Sequence, residues 1–89
     1  MRETAIVIKN KLGLHARAAV KFVNMANRFS ADIKIEKDGS EIDGKSILGI
    51  LTLAATQGSE IVIKADGSDE QAALQALVTL IDGKFEEKE

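Results

Sequence analysis

The sequence predicts an α+β layer structure, with three helices packed on one face of a four-stranded, mainly antiparallel sheet. Three observations carry this expectation. Four short runs have the β-branched or alternating character of strands, three segments have helical character, and short loops join them in the order β-α-β-β-α-β-α. No linker, repeat or low-complexity stretch interrupts the 89 residues, so residues 1–89 are read as one domain.

The elements follow in order. Thr4-Ala5-Ile6-Val7-Ile8-Lys9 is a β-branched run ended by Asn10-Lys11 and then Gly13, a strand leading into a loop. From Ala16 to about Phe29 the residues Ala19, Phe22, Val23, Ala26 and Phe29 recur at helical spacing and predict one buried stripe, with Arg17, Lys21, Asn24 and Arg28 largely off it. Asp32-Ile33-Lys34-Ile35-Glu36 alternates strictly, which puts both isoleucines on one face. The Asp38-Gly39 turn signal and the short run Glu41-Ile42-Asp43 complete a hairpin that Gly44 closes.

Ser46 precedes Ile47 to Leu53, where its hydroxyl can cap a short helix. Glu60 to Ala65 is the fourth strand and Asp66-Gly67 its turn. Ser68-Asp69-Glu70-Gln71 fits a capping box, and Ala73, Leu74, Leu77, Val78 and Ile81 supply the buried stripe of the last helix. Gly83 stops it, and Glu86 to Glu89 is expected to be a charged tail that frays.

Composition narrows the function classes. With 45% apolar and 29% charged residues the chain has the make-up of a soluble globular protein. Its net charge of -2 gives no basic footprint for nucleic acid or an anionic membrane. It has no cysteine, hence neither disulfides nor a thiolate metal site, and no cofactor or metal is expected. Without an apolar leader or a run long enough to span a bilayer, it is read as cytoplasmic.

The lone histidine, His15, stands where a glycine-containing loop meets the first helix. Unpaired backbone N–H groups and the helix dipole favour an anion there and disfavour an imidazolium, so a neutral, nucleophilic ring is expected. Arg17, two residues on, can add charge-assisted hydrogen bonds to a phosphoryl group held on that ring.

The string Asn10-Lys11-Leu12-Gly13-Leu14-His15-Ala16-Arg17-Ala18-Ala19 closely resembles the active-centre motif of the HPr family, the phosphocarriers of the bacterial phosphotransferase system. Gly44-Lys45-Ser46-Ile47-Leu48-Gly49 resembles that family's second signature, and the match in length and spacing covers essentially the whole chain. The resemblance implies an open-faced β-sandwich that acts as a transiently phosphorylated carrier rather than an enzyme. Phosphoenolpyruvate would phosphorylate Enzyme I, which would pass the group to Nδ1 of His15 and thence to Enzyme IIA proteins. It further implies regulatory phosphorylation of Ser46 by HPr kinase/phosphorylase, and a docking surface beside the histidine made of apolar Val20, Ile47, Leu48 and Leu51 and ringed by the charged Arg17 and Lys21. The carrier is expected to be a monomer.

One position departs from the family pattern. Ala18 stands where the family usually has proline, and the chain contains no proline. Alanine keeps the N–H that proline lacks and forms helix well, so the helix should survive with a looser start.

Two competing readings use the second signature. Gly39 to Ser46 satisfies the P-loop pattern G-x-x-x-x-G-K-S, but Glu41 and Asp43 would bring negative charge to a triphosphate, and no suitable magnesium aspartate follows. A non-transferring adaptor that works through Ser46 alone would leave His15 and Arg17 without a task.

Overall fold

Alternation of side chains builds the sheet. Its strands are β1 (Arg2–Val7), β2 (Asp32–Lys37), β3 (Ser40–Asp43) and β4 (Glu60–Asp66), in a computed structural model that describes residues 1–88. They lie in the order β1-β4-β2-β3, each neighbouring pair antiparallel. Register puts Ile33 opposite Ala65, Ile35 opposite Ile63 and Ile6 opposite Ile61, so one face is aliphatic. On the other face Lys64 Nζ donates to Glu36 Oε1 and Glu41 Oε2, each at 2.8 Å. Those hydrogen bonds, the one to Glu36 first, hold the Lys64 ammonium well above the usual lysine range.

Three helices cover the aliphatic face: α1 (Ala16–Ala26), α2 (Ile47–Thr52) and α3 (Glu70–Asp82). Ala18, Ala19, Phe22, Val23 and Ala26 of α1 are buried, with Ile50 of α2 and Ala73, Leu77 and Ile81 of α3. Helix α1 packs on both other helices, and α3 lies over β1 and β4. This is the expected open-faced β-sandwich in the expected order. The Asp-Gly signal is also realised: Asp38 and Gly39 both have positive φ and close a two-residue hairpin, with Lys37 paired to Ser40.

Three local expectations need correction besides the first strand, which runs Arg2–Val7 instead of Thr4–Lys9 because Ile8 leaves the ladder to bond the Ser59 carbonyl and the Gly58 N–H. Helix α1 ends at Ala26 rather than Phe29, because the chain tightens into i to i−3 bonds, Arg28 N–H to the Met25 carbonyl and Phe29 N–H to that of Ala26. Phe29 still packs on the core from outside the helix. The Ser68–Gln71 capping box does not form. Asp69 is the N-cap residue of α3, and its carboxylate instead accepts from Ser30 and Ala31 N–H at 2.8 and 2.9 Å, tying α3 to the loop before β2. Glu70 reaches back to Gly67 N–H at 3.1 Å and takes the part assigned to Gln71.

The third correction is at the C-terminus, where the residues after α3 fold back instead of fraying. Lys84, Phe85 and Glu86 all lie in the left-handed region, with φ of 58°, 55° and 64°. That conformation costs about 1–2 kcal/mol per residue. Complete burial of Phe85, worth about 2–3 kcal/mol, opposes it, as does a 2.7 Å hydrogen bond from Lys21 Nζ to the Phe85 carbonyl. Glu89 lies outside the described residues.

Candidate functional site

The loop that delivers His15 is pinned from three sides. Gly13 has φ of 68°, and a Cβ there would lie 2.5 Å from the Ala55 carbonyl oxygen, so only glycine fits. Leu14 is buried and donates its N–H to that same carbonyl at 2.9 Å. The wholly buried Asn10 donates from Nδ2 to the Gly13 carbonyl at 2.8 Å. His15 follows as the N-cap residue of α1, in extended conformation and without a side-chain cap bond. The first helical hydrogen bond runs from Ala19 N–H to the His15 carbonyl at 2.9 Å, so the N–H groups of Ala16, Arg17 and Ala18 precede it at the positive end of the helix.

The His15 side chain is 26% exposed and opens on a cleft lined by Lys11, Leu12, Arg17, Glu87 and Lys88, among others. Three of these are cations. Nε2 meets Glu87 Oε2 at 2.5 Å, and the other carboxylate oxygen accepts from Asn10 Nδ2 at 3.0 Å. Burial works to raise the Glu87 carboxyl, but hydrogen bonds from His15 and Asn10, with the nearby Lys21 charge, outweigh it and hold it below the usual carboxylate range. The positive helix end expected beside His15 is present, and a carboxylate that the sequence reading did not foresee faces the ring as well.

Arg17 is exposed on the cleft, as its position in the first turn predicts. Ser46 is the N-cap residue of α2, its Oγ accepting from Gly49 N–H at 3.0 Å, so the capping expectation holds. Val20 (40% exposed), Ile47 (39%) and Leu48 (77%) present apolar surface on two helices in contact, while Leu51 is half-buried against the core. Lys21 is engaged with the folded-back C-terminal segment, its ammonium also 3.8 Å from Glu86. The P-loop alternative fails on geometry: Ser40–Asp43 is strand β3 paired to β2, and Lys45 Nζ donates to the Phe29 carbonyl at 2.9 Å.

Glu87 meets His15 from outside both sequence motifs, while Asn10 and Leu12 lie within the first motif without a role read for either from the sequence. For Glu87 the one available signal was Phe85, a large aromatic just ahead of a charged tail, which has to find a core and so draws the next residues inward. Among the described residues no group of three or more histidine, aspartate or glutamate side chains could hold a metal ion, and no helix is long and apolar enough to cross a membrane.

Fold and site define a small open-faced sandwich whose single histidine stands at a helix start in an open, largely basic cleft. The family model described as PTS HPr component phosphorylation site matches residues 2–83. The chain belongs to the HPr family of phosphocarriers of the bacterial phosphotransferase system. It is 46% identical to phosphocarrier protein HPr of Neisseria meningitidis serogroup A over 89 residues, the whole of both chains. Among solved structures, HPr-C-His from Thermoanaerobacter tengcongensis matches with a TM-score of 0.96 and 48% identity, covering all of both chains. An HPr dimer from the same organism matches at 0.79 and 49% identity over 98% of this chain and all of the other.

Proposed function

We propose that this chain, as one HPr-like domain, takes a phosphoryl group from Enzyme I onto Nδ1 of His15 and passes it to Enzyme IIA proteins. The observation that carries the reading is a part-exposed histidine fixed at the N-terminus of α1, in a cleft that also holds Arg17. The free N–H groups of the first turn and the Arg17 guanidinium can hold the phosphoryl oxygens, and the open cleft lets a partner's reacting group approach. In this reading the chain is consumed and regenerated as a carrier rather than turning over a substrate. It works as a cytoplasmic monomer, since cleft, helix end and apolar surface all belong to one chain; sedimentation at working concentration checks this against the dimeric relative.

Docking is assigned to Val20, Ile47, Leu48 and Leu51, with Arg17 and Lys21 as charged neighbours. Ser46 is assigned as the residue phosphorylated by HPr kinase/phosphorylase. A phosphoryl group there would place a dianion at the start of α2, tolerable for the helix and adverse to a partner seated on Ile47 and Leu48.

The test is transfer of phosphate from phosphoenolpyruvate through purified Enzyme I. Wild type should acquire acid-labile phosphate and His15→Ala none; undiminished labelling of the variant would overturn the reading. Leu48→Glu should lower the transfer rate about tenfold, the scale of one buried docking contact, while leaving the melting temperature unchanged. Normal transfer by that variant would remove Leu48 from the docking surface.

A further inference from the structure

Resting on the carrier reading above, we propose that Glu87 is a positioning residue for His15. Its carboxylate, held in place by Asn10, keeps the ring proton on Nε2 and so presents the Nδ1 lone pair to the incoming phosphorus.

A carboxylate can only accept, so a neutral ring facing Glu87 Oε2 must carry its hydrogen on Nε2, and Nδ1 is left as the basic atom. The direction of Asn10 is fixed in turn. Both contacts of its Nδ2, the Gly13 carbonyl and Glu87 Oε1, are acceptors, and turning the amide over would set its oxygen against them. Among the described residues its buried Oδ1 has no hydrogen-bond partner, so the orientation persists through the two bonds its nitrogen donates. The third support is the left-handed turn: buried Phe85 and the Lys21 bond to its carbonyl set where residue 87 emerges. Gly13, Asn10, Glu87 and His15 thus form one chain of contacts, from the loop before the histidine to the ring atom that does not react.

The chemistry balances without a proton acceptor. As Nδ1 forms the P–N bond, the bond from phosphorus to the donor's leaving atom breaks, and its electron pair departs with the donor. The ring retains the Nε2 proton and takes on imidazolium charge, which the Glu87 carboxylate faces. When an acceptor's lone pair attacks phosphorus, the P–N pair returns to Nδ1 and the ring is restored with its hydrogen still on Nε2. The carboxylate is kept on the far side of the ring from the phosphoryl group, where it opposes the imidazolium charge with least repulsion of phosphate.

The experiment compares the full chain with Glu87→Gln, which can accept from only one of its two donors, and Glu87→Ala. Ring nitrogen-15 spectra of the unphosphorylated proteins at neutral pH should show the Nε2–H tautomer in wild type and a growing Nδ1–H fraction in the variants. Phosphoramidate, a donor that needs no partner protein, should label wild type on Nδ1 and Glu87→Ala on both ring nitrogens, the two isomers being resolved by their phosphorus-31 shifts. With Enzyme I, the transfer kcat should fall about tenfold with KM for the chain little changed, the scale of losing a carboxylate that orients a histidine. Unchanged tautomer and isomer ratios in both variants would overturn the proposal, as would faster transfer, which would make Glu87 a gate. Wild type that takes no phosphate on His15 from either donor would overturn the carrier reading as well, whereas normal labelling with unaltered ratios removes Glu87 alone.

Discussion

At the scale of single residues, Ser46 and Ala18 occupy helix starts with different demands. Ser46 satisfies one orphan donor of α2, a helix of only six residues. Ser46→Ala should cost about 1 kcal/mol, read as a lower urea midpoint with an unchanged slope. Ala18 is wholly buried in the first turn of α1, ahead of the first helical hydrogen bond, so its N–H serves no helical partner. The burial of Ala18, off the predicted stripe, comes from packing, whereas the Ser46 cap was legible in the sequence, because capping chemistry depends on the residue and its nearest neighbours. The Asp69 and Glu70 contacts were not, since several oxygens crowd that turn and the choice among them is made by a loop some forty residues earlier.

At the scale of elements, local pattern was a sound guide wherever one face of a strand or helix had to be buried. Ile33 with Ile35, and Phe22 with Val23, are where alternation and helical spacing put them. The Asp-Gly turn also favours hairpin over P-loop, because Ser40–Asp43, the middle of the P-loop pattern, is engaged in strand pairing with β2 instead of forming a loop around phosphate. The left-handed segment Lys84–Glu86 was illegible: none of its residues favours that conformation, and tertiary contacts, the burial of Phe85 and the Lys21 bond to its carbonyl, select it. Phe85→Ala should therefore act at two levels. Stability should fall by about 3–5 kcal/mol in thermal unfolding, and the His15 ring resonances should shift as Glu87 is released.

At the scale of the whole molecule, carboxylates tie distant segments together. Asp69 joins α3 to the loop before β2, Glu70 closes the turn after β4, Glu41 shares Lys64 across the sheet, and Glu87 meets His15. Each is held below its ordinary range: Asp69 chiefly by the Ser30 N–H, Glu70 by that of Gly67, Glu41 by Lys64, and Glu87 by His15 and Asn10 against its burial. A carboxylate depressed in the folded state binds protons more readily when unfolded, so its contribution is complete above the ordinary values of 4.5 for glutamate and 3.8 for aspartate. It is lost as pH falls through the depressed values. The urea midpoint should hold steady from neutrality to the top of that range and decline below it; a midpoint rising on acidification would contradict these four assignments.

The contact between His15 and Glu87 spans 72 residues of sequence. A chain made from its N-terminus therefore has its histidine long before it has the carboxylate that faces it. The sheet also waits, since β4 lies between β1 and β2 and must arrive before either gains its central neighbour. A nascent chain shorter than 87 residues can display the histidine without the carboxylate that faces it. The surroundings of His15 are thus completed only after α3 has been made, and a change to the left-handed turn at Lys84–Glu86 would reach them directly.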